Sequence, residues 1–270
     1  MVAADKLFAG SIPEIYNRLL VPLIFESYAL DLAERVIKTN PAYVLETAAG
    51  TGVLTRAIAS RLPPGARIVA TDLNQPMLDH AKSQQSHDGR IEWRQADAQA
   101  LPFKEQSFDA VACQFGAMFF PDKVDGYKEA RRVLKPGGHF FFNVWDKISE
   151  NDFADIVTRE LTAVFPDDPP RFLARTPHGY HDERQIRAGL NAAGFTNVLI
   201  EAVEARSRAP SPIDVATAYC QGTPLRNEIE ARDPSRLDEA TKRAAEALAR
   251  RFGKSAVDGR IRALVITTTR

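Results

Sequence analysis

"VLETAAGTGVLT", residues 44–55, decides how this chain is read. An apolar run ends in an acid, Glu46, turns through Ala48, Ala49, Gly50, Thr51 and Gly52, and then becomes amphipathic. That pattern predicts a strand, a tight turn of small residues and a helix start. A turn of this kind holds an adenine-bearing cofactor, and its neighbours must say which one. The dinucleotide fingerprint G-x-G-x-x-G, or a final Ala, needs a third small residue. Counting from Gly50 gives G-T-G-V-L-T, so that place falls to Thr55. Glu46 is a second objection. Beside a pyrophosphate its charge is unfavourable, whereas beside an ammonium or sulfonium group it helps.

Outward from the turn, short apolar runs alternate with helical patterns. "YVLET", "RIVATD", "IEWRQ", "FDAVACQ" and "HFFFNVW" read as strands one to five, with "GVLTRAIASRL", "QPMLDHAKSQ" and "KVDGYKEARRVL" as helices between them. Such alternation predicts an α/β, Rossmann-like, doubly wound sheet. Ahead of it, "LLVPLIFESYALDLAERVIKT" reads as a helix with Pro22 in its first turn and Ile24, Tyr28 and Leu32 on one face. Beyond residue 147, "SENDFADIVTRELTAVF" is a helix capped from Ser149 to Asp152, and "PDDPPRFLARTPHGYH" is a proline-rich loop. A helix from Asp182 to Gly194 and strand six, "NVLIEAV", follow. Two more helices come next, one from Ser211-Pro212 and one from Ser235 to Gly253, before strand seven, "RIRALVITTT". On the last helix, Glu239–Arg243 and Glu246–Arg250 are expected to pair on a solvated face. The expected organisation is a helical lid over 1–40, a core over 41–146 and a cap over 147–181. Residues 182–270 return to the core, with a helical insertion at about 211–253.

Composition narrows the function. In 270 residues, 35 basic side chains balance 35 acidic ones, which argues against nucleic acid as partner. Cys113 and Cys220, far apart, suit a reducing compartment, so a cytoplasmic location is expected. No run approaches the ~20 apolar residues of a membrane span, and "MVAADKLFAG" lacks the pattern of a signal peptide.

Two further acids sharpen the cofactor. Asp72 ends strand two, about 20 residues past Gly52, placed to accept both hydroxyls of a ribose. Asp97 follows strand three, where its carboxylate suits the exocyclic amine of adenine and the Ala98 N–H a ring nitrogen. Three acids at successive strand ends describe a ligand with a cationic amino-acid end, a ribose and an adenine, without phosphate. "VLETAAGTGVLT", "ATDLNQPML", "QADAQALPF", "FDAVACQFGAMFF" and "VLKPGGHFFF" resemble, in order, the consecutive motifs of class I S-adenosylmethionine-dependent methyltransferases. Within that class they look like the small-molecule, ubiquinone/menaquinone-biosynthesis-like branch. The resemblance covers about residues 42–146. It implies a seven-stranded sheet with the last strand antiparallel, and S-adenosyl-L-methionine as cofactor, leaving as S-adenosyl-L-homocysteine. It assigns Asp72 to the ribose, Asp97 and Ala98 to the adenine, and Glu46 with the Ala48, Gly50 and Gly52 turn to the methionine end. Leu73 and Met77 would flank the ring, and Gln114 and Phe115 would lie beside the cofactor. The family usually has glycine at the position of Ala48. Alanine at positive φ is strained by roughly 1 kcal/mol, so Ala48 is expected at negative φ.

A sulfonium is already an activated electrophile, so transfer needs chiefly positioning, and oxygen or carbon acceptors also need a base. The sequence shows no unmistakable one. His178, Tyr180 and His181 cluster in "TPHGYH", and His178 and Tyr180 are the catalytic candidates. His139 reads as structural, Cys113 as a buried inert thiol, and no spacing argues for a metal. Tyr16, Phe25, Tyr28, Phe119, Trp145 and Tyr219 are expected around the acceptor, with Tyr16 and Tyr28 near the methionine end; Phe172 and Tyr180 add to these aromatics. Several aromatics without a lysine cluster suit a small, largely apolar or aromatic methyl acceptor. Two other readings stand beside methyl transfer: an NAD(P)-dependent oxidoreductase, and a cofactor-binding regulator without turnover.

Overall fold

The apolar run ahead of the turn forms strand β1, Tyr43–Glu46, inside a seven-stranded sheet. The computed structural model describes residues 12–85 and 87–270. The other strands are β2 (Arg67–Asp72), β3 (Ile91–Gln95), β4 (Phe108–Gln114), β5 (Leu134–Trp145), β6 (Val198–Ala209) and β7 (Val257–Thr269), in the order β3-β2-β1-β4-β5-β7-β6. Strands β1 to β5 pair in parallel. β7 runs against β5, because Gly137 N–H donates to Arg270 O while Asp146 N–H donates to Arg262 O. The expected antiparallel last strand is therefore present. Strand order reverses between β1 and β4, the switch point outside which open α/β sheets bind ligands.

The helices are α1 (Ile12–Ile15), α2 (Glu26–Lys38), α3 (Val53–Ala59), α4 (Gln75–Gln84), α5 (Lys123–Val133), α6 (Asp152–Val164), α7 (Phe172–Arg175), α8 (Glu183–Ala192), α9 (Pro212–Gln221), α10 (Leu225–Arg232) and α11 (Leu237–Phe252). The described chain divides into two units. One gathers the residues up to Glu26, Trp145–Gly179 and Glu204–Arg262; the other gathers Ser27–Val144, Tyr180–Val203 and Ala263–Arg270. We call them the helical unit and the sheet unit. In the sheet unit, Leu32 and Val36 of α2, Leu54 and Ile58 of α3, and Val44, Ile68, Ala110, Phe141 and Val265 of the strands share one apolar core. In the helical unit α11 packs on α6 and α9. Gly259 there leaves room for the Phe153 ring, which meets Phe252 edge-on. No described helix is long and apolar enough to cross a membrane.

Local signals set several element ends. Asp182 caps α8 through the Arg184 N–H, Ser211 caps α9 with Pro212 in its first turn, and Gly194 closes the α8 region at φ +91°. Several expectations fail for physical reasons. Pro22 lies inside a helix rather than in its first turn: Tyr16–Phe25 is wound as a π-helix, in which the Glu26 N–H reaches Val21 O. The Ser149–Asp152 cap does not form, because Ile148–Glu150 is a 3-10 turn and Asn151 precedes α6 without a side-chain cap. The proline-rich loop over 166–181 carries α7, and a third helix, α10, stands where two were expected between strands six and seven. β5 begins at Leu134 rather than His139, and β6 runs on to Ala209. Glu239 pairs with Arg236 instead of Arg243, while Arg243 and Arg250 both meet Glu160 of α6, a tertiary partner invisible to helical spacing.

β6 is an edge strand. Glu204, Arg206 and Arg208 stand exposed along it, and both arginines pair with Asp258. Nearer its start, Glu201 is ion-paired with Arg35 of α2.

Candidate functional site

The site begins at the end of β1. Glu46 is buried, 1% exposed, because β1 lies between β2 and β4. The Thr55 hydroxyl, on the first turns of α3, donates to its Oε2 at 2.6 Å. Burial pushes the Glu46 carboxyl up to about 8, against the lowering pulls of Thr55 and Arg56 and with a further raising contribution from Asp72. The residue that breaks the dinucleotide spacing is thus the partner of the acid in front of the turn. Sequence reasoning saw Thr55 only as a defect; a hydroxyl nine residues after an acid, across a tight turn, was the available signal.

The turn itself is left-handed at alternate residues: Ala48 at φ +54°, Gly50 at +56° and Gly52 at +79°. This overturns the expectation that Ala48 sits at negative φ. The turn geometry prevails, and alanine bears a strain of roughly 1–2 kcal/mol. Room for the displaced Ala48 side chain comes from Gly116, after β4: a Cβ at Gly116 would overlap Ala48 Cβ and lie 2.8 Å from Cys113 Sγ. Gly116 has φ −99°, so it is glycine for space alone. Cys113 is fully buried as expected, its thiol pushed by burial up to about 11.

Internal hydrogen bonds engage three of the turn's donors. Ala49 N–H donates to Thr71 O, Gly52 N–H to Ala49 O and Gly50 N–H to Asp72 Oδ2, the last at 2.8 Å. Asp72 takes the Asn74 N–H on Oδ1 at 2.7 Å. Burial raises its carboxyl pKa, opposed by the hydrogen bonds from Asn74, Gly50 and Leu73. These contacts fix the carboxylate and leave further lone pairs for two ribose hydroxyls. Leu73 is 44% exposed, and Met77, on α4, is buried with its Cε 3.7 Å from where a Gly50 Cβ would stand. Asp97 is exposed, with Oδ1 accepting the Gln99 N–H, and Ala98 is half-buried.

At the end of β4, Gln114 is buried and Phe115 adopts φ +50°. Asn143 of β5 holds that conformation: the Phe115 N–H donates to Asn143 Oδ1 at 2.9 Å and to its main-chain O at 3.2 Å. The Phe115 ring meets Tyr28 edge-on at 5.4 Å, and the Tyr28 hydroxyl donates to Val203 O. Phe119, in the 3-10 turn Ala117–Phe119, is half-buried. Asn143 and Gly116 were missed from sequence.

The two base candidates part company. Tyr180 belongs to the sheet unit, where its hydroxyl meets that of Tyr127 of α5 at 3.1 Å and its ring lies under the Lys123 ammonium. That pair gives Tyr180 a structural partner. His178 belongs to the helical unit, buried, with Nδ1 2.8 Å from Asp146 O and its ring beside Trp145. Rings continue from there: Trp145 to Phe25 at 5.9 Å and Phe25 to Tyr16 at 5.1 Å. Tyr219 is buried on α9 and Phe172 on α7. His181 is exposed, and His139 stacks on Phe141. Among the described residues no cluster suits a metal ion.

The residues fit S-adenosylmethionine on two observations. Glu46 is a buried carboxyl without an ion pair among the described residues, and the buried Thr51 hydroxyl in the turn has no hydrogen-bond partner. A ligand with a cationic, hydrogen-bonding end satisfies both.

Comparison with known proteins agrees. A methyltransferase domain family matches residues 45–142. The ubiquinone/menaquinone biosynthesis C-methyltransferase of Hahella chejuensis is 41% identical over 166 residues, 57% of this chain and 67% of that one. This chain belongs to the S-adenosylmethionine-dependent methyltransferases. The demethylmenaquinone methyltransferase of Clavibacter sepedonicus is 30% identical over 170 residues, 57% of this chain and 66% of that one. The match spans just under two thirds of that methyltransferase and of the next, the ubiquinone/menaquinone biosynthesis C-methyltransferase of Ectopseudomonas mendocina. Among solved structures, the [4+2]-cyclase SpnF superposes with a TM-score of 0.54 at 18% identity, covering 90% of this chain and 80% of that one. At that identity the likeness speaks for the fold, and it shows that the methyltransferase fold also hosts other chemistry.

Proposed function

We propose that this methyltransferase moves a methyl group from S-adenosylmethionine to a small, largely apolar acceptor carrying an aromatic ring. The observation that carries the cofactor half is the row of acids, Glu46 and Asp72 ending β1 and β2 and Asp97 just beyond β3, beside a turn in which the Ala49, Gly50 and Gly52 N–H groups are engaged internally rather than offered to phosphate. When bound, S-adenosylmethionine supplies a methyl group on a sulfonium, already activated. Glu46 would hold the cationic methionine end, Asp72 the ribose hydroxyls, and Asp97 with the Ala98 N–H the adenine edge. Leu73 and Met77 would bracket the adenine, with Gln114 and Phe115 beside the cofactor. What remains for the chain is placement and exclusion of water.

Support for the acceptor comes from the ring series Tyr16, Phe25, Trp145 and His178 in the helical unit, and from a formal charge of zero, which suits a small molecule better than nucleic acid. The curated relatives are named for steps in quinone biosynthesis, which makes a quinone-like ring the first acceptor class to try. His178 is the candidate base: with the Nδ1 proton on Asp146 O, the basic nitrogen of the ring is Nε2. Both cysteines are unbridged, which supports a reducing compartment such as the cytoplasm.

Calorimetric titration with S-adenosylhomocysteine, NAD and NADP tests the cofactor. Micromolar S-adenosylhomocysteine binding without dinucleotide binding is expected, and the reverse sinks the reading. A screen of ring acceptors for methylated product separates an enzyme from a regulator that merely binds.

A further inference from the structure

Four described residues other than glycine take a left-handed φ: Asn40, Ala48, Gln106 and Phe115. Asn40 and Gln106 are exposed polar residues in loops. Ala48 and Phe115 are apolar, and they follow β1 and β4, the two strands that flank the switch point. Left-handed backbone at such residues is unfavourable and persists only where the surroundings impose it. The two are also in touch through one residue. A Cβ at Gly116 would overlap Ala48 Cβ, so the chain leaving β4 through Phe115 is set directly against the turn after β1.

What imposes the conformation of Phe115 is Asn143. The Phe115 N–H donates to Asn143 Oδ1 at 2.9 Å and to the Asn143 main-chain O at 3.2 Å, and only the first bond depends on the side chain. Asn143 is the register partner of Gln114, level with the end of β4. It is 0% exposed, and its Nδ2 has no hydrogen-bond partner among the described residues. A buried amide with an unpaired donor is destabilising, a penalty that an apolar residue would avoid. With no surface open to a ligand, Asn143 acts only through what it holds. It holds Phe115, whose ring meets Tyr28 edge-on and whose successor, Gly116, abuts Ala48. All five residues belong to the sheet unit.

We propose that Asn143 is a positioning residue for the cofactor: Oδ1 holds Phe115 left-handed, and through Phe115 and Gly116 it keeps the Ala48 turn in its binding shape. This rests on the reading that the turn and Phe115 border S-adenosylmethionine. The test uses the full chain, titrated calorimetrically with S-adenosylhomocysteine and melted without ligand. Asn143→Ala is expected to weaken binding by about tenfold, the factor that corresponds to holding one residue left-handed. Phe115→Gly removes the need for a hold, because glycine takes a positive φ freely. In that background Asn143→Ala should change the affinity by less than about threefold, since the two sites act as one. A purely structural role would instead lower the melting temperature in both backgrounds and leave the affinity of the folded protein unchanged. Should Asn143→Ala not fold, Asn143→Thr, close to asparagine in volume, is read in the same way. Parent-like affinity in the folded variant, or an equal loss in the Phe115→Gly background, overturns the assignment while the cofactor reading stands. A parent that does not bind S-adenosylhomocysteine overturns the cofactor reading, and this assignment with it.

Discussion

Adding one methyl group at Gly116 should damage the cofactor turn from the outside. A Cβ there would overlap Ala48 Cβ and come within 2.8 Å of Cys113 Sγ, where carbon contacts normally stand at about 3.5–4.0 Å. Neither neighbour yields easily: Cys113 is fully buried near the end of β4, and Ala48 is held by a turn at φ +54°. Over-packing of this kind costs about 1–3 kcal/mol, and backbone movement puts Gly116→Ala at the upper end. Ala48→Gly works the other way. It relieves about 1–2 kcal/mol of left-handed strain and gives back about 0.5–1 kcal/mol through a looser unfolded chain, a net gain of about 0.5–1 kcal/mol. At about 2–4 °C per kcal/mol, the melting temperature rises by about 1–4 °C. In the double variant the Ala48 overlap is gone and only the Cys113 contact remains, so about half of the Gly116→Ala loss should return. Scanning calorimetry without ligand and titration with S-adenosylhomocysteine read both effects. A Gly116→Ala protein as stable as the parent, or losses that simply add in the double variant, would refute the account of this turn.

Four further outcomes follow from the site. The Glu46 carboxyl, raised to about 8 in the folded protein and near 4.5 unfolded, contributes stability that is complete below about pH 4.5 and lost as pH rises through 8. Glu46→Gln should therefore resist unfolding better than the parent at pH 8–9, and equal stability there contradicts the burial argument. A cationic ligand end should drive the proton off Glu46, so S-adenosylhomocysteine binding below pH 8 should release protons in paired-buffer calorimetry and tighten as pH rises; Glu46→Gln should do neither. Thr55→Val, which removes the hydrogen bond favouring the ionised form, should weaken binding at pH 7 more than at pH 9. Asp72→Ala should weaken binding by about 1.5–3 kcal/mol and also destabilise the free protein, since Gly50 and Asn74 N–H lose their acceptor; Asp97→Ala should weaken it less. Parent-like binding in both variants would remove the acids from the site.

The sheet was legible because buried parallel strands announce themselves as apolar runs, and β1, β2, β4 and β5 each carry one. Capped ends were legible too, as at Asp182 and Ser211, since a cap is a local transaction between a side chain and its own helix. Features settled between distant segments were not. Arg243 turns to Glu160 rather than Glu239, and Pro22 is accommodated by π winding that no local rule requires. Ala48 shows the same limit inside the site. Its φ was judged on the residue's own preference, while the space that permits a positive value lies 68 positions away at Gly116. Tyr180 was singled out by proximity in sequence to His178, yet the chain assigns the two to different units.

The long edge strand β6 has a bearing on how the protein behaves in a crowded solution. With equal numbers of basic and acidic groups the molecule has no net charge at neutral pH with which to repel its own copies. Protection against sheet-to-sheet association must then be local, and the Glu204, Arg206 and Arg208 side chains supply it by making any incoming strand bury charge. Because Asp258 already neutralises part of that row, the guard is balanced in sign. It deters strands of either charge and leaves the protein's solubility near neutral pH dependent on a handful of side chains.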